Sequence, residues 1–349
     1  MEKLKVAVIG YGGQGAWHCK QILKSDVVEL KGVYDIKPQR NEAAKNDGIF
    51  VYENNEAIFA DESLDVIVVA TPNDVHEDLV VSALNSGKNV ICEKPVALSV
   101  ESFDHMVAAA KTKGKVLSVH QNRRFDVDFL GVKSVIESGE IGETIRIESR
   151  IHGSRGIPSD WRCEKKFGGG MILDWGVHLI DQMLQLIPEK IVSVYCQNTN
   201  ITNKEVDDGF RLNLTFESGK TAFVEVGTYN FIPMPRFYMQ CEKGSLYLED
   251  WQKPAHVAKL TRWIEKDVKP IQNAAGITKT MAPRDHLTLD EYDKVIPNSD
   301  VHDFYRNFVA AVNGNEEQLV KNSEVRRVLL VMENCFKSNE TKQVISVSI

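Results

Sequence analysis

The stretch "VAVIGYGGQGAWH" (residues 6–18) decides the fold, because three glycines in GxGxxG spacing follow an apolar run directly. Gly10 permits a tight turn, Gly12 lets the backbone approach a pyrophosphate, and Gly15 allows a helix to pack closely on a strand. The N-terminus of that helix would offer free N–H groups and a positive dipole to phosphates. The residues expected to contact a dinucleotide here are Gly10, Gly12, Gly13, Gln14 and Gly15. The spacing also occurs in ordinary glycine-rich turns, so its surroundings must decide.

An acid follows at the end of the next apolar run, "VELKGVYD" (28–35). This run predicts a second strand, and Asp35 lies 20 residues after Gly15. A carboxylate there can accept hydrogen bonds from both adenosine ribose hydroxyls and would repel a 2′-phosphate. The acid therefore favours NAD over NADP. Lys37 and Arg40 nearby keep NADP as the lesser alternative.

Length and composition limit the possible classes of protein. A chain of 349 residues is too long for one core, and we expect two domains, at 1–121 and 122–349. A net charge of -7 gives no reason to expect nucleic acid or an anionic membrane as a partner. The apolar runs are strand-length, and the first residues lead into a strand without signal-peptide features, so we expect a cytoplasmic protein. Six scattered cysteines without a CxxC pair predict neither a disulfide framework nor a metal site.

The first 120 residues alternate apolar runs with helical patterns, which predicts a doubly wound parallel sheet. The predicted strands lie at 4–10, 28–35, 65–71, 89–94 and 115–120, and the predicted helices at 14–24, 76–86 and 100–113. After residue 140 the pattern changes to alternating residues, with hairpins predicted at 208–230 and 236–250. This half is therefore α+β with a mainly antiparallel sheet, and helices return at 301–313 and 322–338. Residues 251–300 show weak periodicity and several prolines, which indicates either a functional segment or one that periodicity does not resolve.

Two predicted strand ends carry polar residues where open parallel sheets bind ligands. The sequence "ATPNDVH" places Thr71, Pro72, Asn73 and His76 after the third strand, and "CEKPVA" places Glu93, Lys94 and Pro95 after the fourth. A charged pair is unusual directly after the apolar strand "NVIC". Lys94 is either a cleft residue held by the backbone or a solvated turn lysine. His76 is either a cofactor contact or, somewhat better supported, a capping or packing residue.

The stretch "GGGMILDWGVHLID" (168–181) places Asp174 and His178 four residues apart on one helical face. That face is separate from an apolar stripe, so the pair belongs either to a site or to a solvated face. In the first case, the glycines at 168–170 would let substrate or nicotinamide approach the backbone closely.

With these pieces together, the chain resembles the Gfo/Idh/MocA family (glucose–fructose oxidoreductase, inositol dehydrogenase, rhizopine catabolism). The matching stretches, which also include "HQNRRF" (120–125), occur in family order between residues 6 and 181. The resemblance implies an N-terminal Rossmann domain joined to a C-terminal α+β domain with a large open-faced sheet. It implies that Lys94, Asp174 and His178 form the catalytic set, and that Glu93 and Asn73 contact the nicotinamide-side ribose. Relatives that pair through the sheet face imply a homodimer or homotetramer, for which Tyr229, Phe231 and Tyr238 are candidates for the interface or the core.

Oxidation of a secondary alcohol needs a base for the hydroxyl proton, and histidine titrates near neutral pH without a shift. Lys94 can stabilise the developing alkoxide or relay the proton, so the residues alone leave the base open between Lys94 and His178. We expect Asp174 to raise the pKa of His178 and Lys94 to lower it. Oxidation should then rise with pH in the neutral-to-alkaline range. The candidates for substrate contacts are Arg123, Arg124, Trp161 and Arg162, each of which could equally serve junction packing or surface charge.

The sequence thus predicts an NAD-dependent oxidoreductase acting on a ring secondary alcohol of a sugar, glycoside or cyclitol. One alternative is a redox-neutral enzyme that oxidises transiently and then eliminates, epimerises or cleaves a glycoside. A further alternative is a dinucleotide sensor without catalysis, against which the intact Lys94, Asp174 and His178 set argues.

Overall fold

The parallel sheet predicted for the first part of the chain is present. Its strands are β1 (Leu4–Ile9), β2 (Val28–Tyr34), β3 (Val66–Val69), β4 (Asn89–Cys92) and β5 (Leu117–Val119). All pair in parallel, in the spatial order β2-β1-β3-β4-β5. An isolated parallel bridge between Val33 and Val51 adds a sixth position beside β2. Counted with that bridge, the order follows the 3-2-1-4-5-6 pattern of dinucleotide-binding sheets, whose ligands lie outside the carboxyl ends of the strands.

The computed structural model describes residues 2–262, 269–281, 283–284, 287–295 and 297–349. No helix in these ranges is long and apolar enough to cross a membrane.

Helices cover this sheet and connect its strands. They are α1 (Gly13–Ile22), α2 (Pro38–Asn46), α3 (Asn55–Ala60), α4 (His76–Asn85) and α5 (Val100–Lys113). The sequence signals at the ends of α5 are local, because the Ser99 hydroxyl accepts from the Ser102 N–H and Gly114 ends the helix at φ +61°. The sequence patterns missed α2 and α3, which are short; α2 is also mostly exposed. They also missed α6 (Val127–Ser138), which follows the first sheet.

The second sheet has nine strands and is antiparallel except for one pair. Its strands are β6 (Thr144–His152), β7 (Ile191–Thr199), β8 (Gly209–Phe216), β9 (Thr221–Gly227), β10 (Phe237–Cys241), β11 (Gly244–Leu248), β12 (His256–Leu260), β15 (Leu289–Asp293) and β16 (Ile345–Ser346). Their order is β15-β12-β11-β10-β6-β9-β8-β7-β16, with β6 and β9 parallel. Both predicted hairpins are confirmed, as β8 with β9 and as β10 with β11. The sequence patterns missed β7.

The weakly periodic segment 251–300 contributes strands to this fold. It supplies β12 and β15 at one edge of the nine-stranded sheet, and a separate two-stranded ribbon of β13 (Ile271–Asn273) and β14 (Gly276–Thr278). The ribbon side chains are mostly exposed, which explains why apolar periodicity did not indicate them. Residues 263–268, 282, 285–286 and 296 lie outside the described part of this segment.

Three further helices pack on the two sheets. They are α7 (Val177–Leu186), α8 (His302–Val312) and α9 (Asn322–Thr341). Almost every side chain of α7 is buried, so protein encloses its polar face with His178, Asp181 and Gln182 as well as its apolar face. α9 packs against α5 of the first half and against β7 and α7 of the second. The division of the chain at residue 121 remains a prediction.

Candidate active site

The turn after β1 has the geometry of a phosphate-binding turn. Gly10 has φ +97°, and a Cβ there would lie 2.3 Å from the Ala70 oxygen. A Cβ at Gly15 would lie 1.9 Å from the Gly10 oxygen, so helix and strand are in direct contact. No heavy atom would lie within 4 Å of a Cβ at Gly13, and no side chain caps the N-terminus of α1. The first N–H groups of this helix are therefore open to an anion.

Asp35 lies beside this turn, where β2 ends. Its carboxylate accepts hydrogen bonds from the N–H of Tyr11 at 2.7 Å and of Lys37 at 2.8 Å. Arg40 Nη1 donates to it at 3.2 Å, and the same atom lies 3.0 Å from where a Gly12 Cβ would be. The acid is thus fixed by the backbone, while Arg40 is a half-exposed cation at the rim of the turn.

The loops that follow β3 and β4 are joined by His76. One ring nitrogen is 3.0 Å from the Thr71 oxygen and the other is 3.0 Å from the Pro95 oxygen. Both nitrogens are occupied by protein and the ring is buried, which matches the packing alternative. Its contact with a cofactor remains a prediction. The buried Thr71 hydroxyl, by contrast, has no partner among the described residues.

Lys94 and Asp174 come together from distant parts of the chain. Lys94 Nζ donates to Asp174 Oδ1 at 3.2 Å and to the Asp174 backbone oxygen at 3.1 Å. Arg162 Nε donates to the other carboxylate oxygen at 2.9 Å. Burial would raise the pKa of Asp174, but Lys94 and Arg162 together lower it. Asp174 is 8% exposed and His178 4%, so the alternative of a solvated helix face is wrong.

His178 lies in the same buried environment, and its pKa is set differently from the expectation. Burial is the largest effect and lowers its pKa well below the usual value, and the charges of Lys94 and Arg123 lower it further. Asp174, which was expected to raise this pKa, instead bonds to Lys94 and Arg162. His178 Nδ1 is buried and has no hydrogen-bond partner among the described residues. A ring nitrogen without a protein partner is available to a ligand.

The glycines that precede the helical segment with Asp174 and His178 have a different role from the one expected. A Cβ at Gly168 would lie 2.5 Å from the Leu98 side chain, and one at Gly169 would lie 2.3 Å from the Arg162 oxygen. A Cβ at Gly170, where φ is +105°, would lie 2.4 Å from Asp207 Oδ1. Protein atoms therefore fill the space that was assigned to a ligand. These glycines let the loop pack tightly against the rest of the chain.

Asp207 fixes the start of the helical segment that carries Asp174 and His178. Its Oδ2 accepts the Ile172 N–H at 2.8 Å, and its backbone oxygen accepts the Met171 N–H at 3.0 Å. Residues Ile172–Gly176 form a π-turn that leads into α7. The sequence analysis missed Asp207, because an acid that caps a helix from another segment leaves no local signal.

The four candidate substrate residues divide into two groups. Arg162 bonds to Asp174, and its guanidinium is 4.6 Å from the Trp161 ring. Arg123 lies 4.7 Å from the Trp175 ring and contributes to the field at His178. The Arg124 side chain is instead largely buried in salt bridges. Its partners are Asp181 at 2.6 Å and Glu324 at 2.7 Å. The structure thus gives Arg124 the junction-packing role, and its substrate contact remains a prediction.

A second buried cluster lies behind Lys94. Glu93 Oε1 lies 2.9 Å from His18 Nε2 and 2.8 Å from His120 Nδ1. These residue types can hold a metal ion, although the sequence predicted no metal site. Both distances are hydrogen-bond distances to one oxygen, so hydrogen bonds account for the cluster. His18 was not recognised from the sequence, and His120 was only part of the quoted "HQNRRF".

The described residues fit a bound dinucleotide. The N-terminus of α1 is uncapped, and polar atoms without partners lie buried around the strand ends. They are Thr71 Oγ1, Asn122 Oδ1, His178 Nδ1 and both amide atoms of Gln121. Buried polar atoms are normally paired in proteins, so a group of orphans at the carboxyl edge of the sheet indicates a ligand that pairs with them. Gln121 and Asn122 were not singled out from the sequence.

Comparison with known proteins agrees with this geometry. Residues 4–121 match the sequence profile described as an oxidoreductase family with an NAD-binding Rossmann fold. Residues 129–247 match the profile of the GFO/IDH/MocA C-terminal domain. A crystal structure of an NAD-binding protein from Listeria innocua is 42% identical, with a TM-score of 0.96, and the match covers 99% of this chain and 100% of that one.

Two curated relatives add detail. An uncharacterized oxidoreductase of Schizosaccharomyces pombe is 38% identical over 172 residues, which is 48% of this chain and 47% of the relative. The chain therefore matches about half the length of that protein. A scyllo-inositol 2-dehydrogenase (NADP(+)) of Bacillus subtilis is 27% identical over 99% of this chain and 96% of its own.

Proposed function

The chain belongs to the Gfo/Idh/MocA family of oxidoreductases, and from that premise we propose an NAD-dependent dehydrogenase acting on CH–OH groups. Its substrate would be a ring secondary alcohol of a sugar, glycoside or cyclitol. The observation that carries the proposal is the buried contact of Lys94 with Asp174, beside His178, at the carboxyl edge of a dinucleotide-type sheet. The inositol dehydrogenase among the relatives supports the cyclitol class.

The residues divide the proton chemistry between them. A bound nicotinamide would supply the hydride acceptor for oxidation and the hydride donor for reduction. His178 has a pKa far below its usual value, so it is neutral at pH 7 and can accept the hydroxyl proton. A group with so low a pKa is a weak base. The Lys94 ammonium would therefore have to stabilise the negative charge that develops on the substrate oxygen.

Asp174 has a positioning role in this scheme. Its carboxylate accepts hydrogen bonds from Lys94 and from Arg162, and among the described residues it does not bond to His178. An ammonium has three N–H donors, and Asp174 receives two of them through its side chain and backbone. Lys94 is thereby oriented, and its third donor remains for the substrate oxygen.

The low pKa of His178 changes the expected dependence of activity on pH. If His178 is the base, kcat/KM for oxidation should fall only on the acidic side and be flat through neutral pH, since the base is already deprotonated there. Reduction needs the protonated form and should rise as pH falls. The measurement is kcat/KM against pH in both directions on one substrate pair. Profiles that run in parallel would show that one group does not serve both directions.

The preference for NAD over NADP remains part of the proposal. Asp35 is buried and held by two backbone N–H groups, so its charge cannot move away from a 2′-phosphate. We expect NAD⁺ to bind more tightly than NADP⁺, and Asp35→Ser to weaken NAD⁺ and relax the bias. Arg40→Gln is the matched variant, because Arg40 is the half-exposed cation that could accept a phosphate. Titration of the three proteins with both cofactors tests this, and tighter NADP⁺ binding by the unmutated chain would contradict it.

The substrate class is tested by a screen of cyclitols, sugars and glycosides with NAD⁺ and with NADP⁺. A dehydrogenase forms one reduced cofactor per product molecule, and Lys94→Ala should slow its formation by about 10²–10⁴-fold. Product formation without net reduced cofactor would instead show the redox-neutral alternative. Tight cofactor binding without any product would favour a sensor.

We also propose that the protein acts in the cytoplasm as a homodimer or homotetramer. Large apolar side chains are exposed on and beside the nine-stranded sheet, which supports an interface there. They include Tyr229, Phe231, Tyr238 and Tyr247. Tyr229 and Phe231 are therefore not core residues. Sedimentation velocity measures the state directly, and a monomer at micromolar concentration would contradict the proposal.

A further inference from the structure

Four buried side chains from four parts of the chain meet behind the loop that carries Lys94. They are His18 on α1, Glu93 after β4, His120 after β5 and Tyr305 on α8. We call this set the Glu93 cluster. His18, His120 and Tyr305 are completely buried, and Glu93 is 4% exposed. The proposed reaction does not use any of the four directly.

The hydrogen bonds of the cluster have one consistent direction. An ionised carboxylate can only accept, so His18 Nε2 and His120 Nδ1 both donate to Glu93 Oε1, at 2.9 and 2.8 Å. The other oxygen, Oε2, accepts the backbone N–H of Lys94 at 3.1 Å. His18 Nδ1 then accepts from the Tyr305 hydroxyl at 2.6 Å. Tyr305 on α8 is thereby connected through His18 and Glu93 to the backbone of Lys94.

These contacts keep a negative charge where burial opposes it. Burial alone would raise the pKa of Glu93, but His120 and His18 together hold it well below its usual range. A buried charge costs several kcal/mol unless it is hydrogen-bonded, and this one receives three donors. The residues around His178 give a reason for keeping this negative charge.

The neighbours of His178 are mostly positive. Lys94, Arg123 and His120 each lower its pKa in addition to burial, and Glu93 is the neighbour that raises it. On its own helical segment, Asp174 is engaged by Lys94 and Arg162. The negative charge of Glu93 thus partly offsets the positive charges near His178. Its Oε2 also accepts the hydrogen bond from the Lys94 backbone N–H.

We propose that Glu93, held by His18, His120 and Tyr305, is a positioning residue that fixes the backbone of Lys94 at the active site. This inference rests on the hydride transfer proposed above. It assigns to Glu93 a role inside the protein rather than a direct contact with the ribose of a cofactor. It also extends the active site to α8, which lies more than 200 residues after Lys94 in the sequence.

The decisive variant is Glu93→Gln, which keeps the shape and removes the charge. Loss of a negative neighbour lowers the pKa of His178 further. The acidic limb of the pH profile, where kcat/KM for oxidation falls, should therefore move to lower pH. Turnover should fall as well, because the amide nitrogen of glutamine cannot accept the Lys94 N–H. Glu93→Asp restores a charge and should return the limb toward its original pH. A Glu93→Gln protein with unchanged turnover and an unmoved limb would overturn the proposal.

A milder variant covers the case in which Glu93→Gln does not fold. Tyr305→Phe keeps the Glu93 charge and removes one hydroxyl, so turnover should fall severalfold while the acidic limb stays in place. The matched control is Tyr52→Phe, which removes a hydroxyl bonded to Asp61 at 2.7 Å in the first half of the chain, outside the Glu93 cluster. The control should keep full turnover. Equal turnover in both tyrosine variants would overturn the link to α8.

A third measurement does not depend on any substrate. Ring ¹⁵N NMR of the cofactor-free protein should show His18 protonated at Nε2 and His120 at Nδ1. A bound metal, or the absence of a proton from His18 Nε2 or from His120 Nδ1, would overturn the cluster as assigned. If the substrate screen finds no reaction, the proposed function fails on its own, and these spectra still decide the arrangement of the cluster.

Discussion

Two buried carboxylates flank Lys94, and they are stabilised in different ways. Glu93 accepts from two imidazoles and one backbone N–H, all from groups packed inside the fold. Asp174 is paired with two cationic side chains, Lys94 and Arg162. The first arrangement is rigid, because its donors lie on packed elements. The second holds long side chains whose ends can exchange partners, as a site must when a ligand enters.

The largest expected effect comes from removing the cation between the two acids. Lys94→Ala leaves Asp174 with Arg162 alone and removes the ammonium that faces His178. Turnover should fall by about 10²–10⁴-fold while NADH still binds, and His178→Ala should do the same, since each is a positioned proton-transfer or charge-stabilising group. Steady-state kinetics and NADH titration measure the two quantities. The exposed Lys111→Ala on α5 is the control, and near-normal turnover in both site variants would remove the catalytic assignment.

The next effect concerns the support of Asp174. Burial raises the pKa of Asp207 to about 6, although the N–H groups at the start of the helical segment lower it in part. A carboxyl whose pKa is raised in the folded state contributes stability below its unfolded value of 3.8, and this contribution is lost as pH rises through about 6. Asp207→Asn keeps the acceptor and cannot ionise.

The free energy of unfolding of the unmutated protein should therefore decline relative to Asp207→Asn between pH 4 and 7, by up to about 3 kcal/mol. Denaturant unfolding at several pH values measures the difference. Asp78→Asn, at an exposed position on α4, is the control. A difference that does not change with pH would show that Asp207 ionises as easily in the folded chain as in the unfolded one.

The smallest expected effect tests whether the ion pairs of Asp174 can exchange partners, unlike the hydrogen bonds of Glu93. Arg162→Gln removes one of its two cationic partners and leaves the Lys94 contact. We expect kcat/KM to fall about tenfold, the range for a hydrogen bond to a charged group, with the acidic limb of the pH profile unmoved. The exposed Arg155→Gln is the matched control. If the acidic limb of the pH profile moved as far as in Glu93→Gln, the two carboxylates would not differ in their effect on His178.

Local patterns in the sequence were enough for much of the fold. The GxGxxG turn, α5 with its serine and glycine ends, and both hairpins depend on neighbours within a few residues, so periodicity and turn residues specify them. The patterns missed α2 and the ribbon of β13 and β14, which are short and exposed, and they also missed the longer α6 and β7. A short, exposed element buries few side chains, so its sequence shows little apolar periodicity.

For the site, the sequence alone determined which residue types stand after which strands, and thus Lys94, Asp174 and His178 as candidates. A lysine after an apolar strand and an acid–histidine pair on a helix are local features. Only the tertiary structure decided what each acid touches. Asp174 bonds to Lys94 rather than to His178, four residues away, and Glu93 meets residues 18, 120 and 305. Such partners are distant in the chain, and their pairing depends on how the two sheets and α8 pack, which no local pattern encodes.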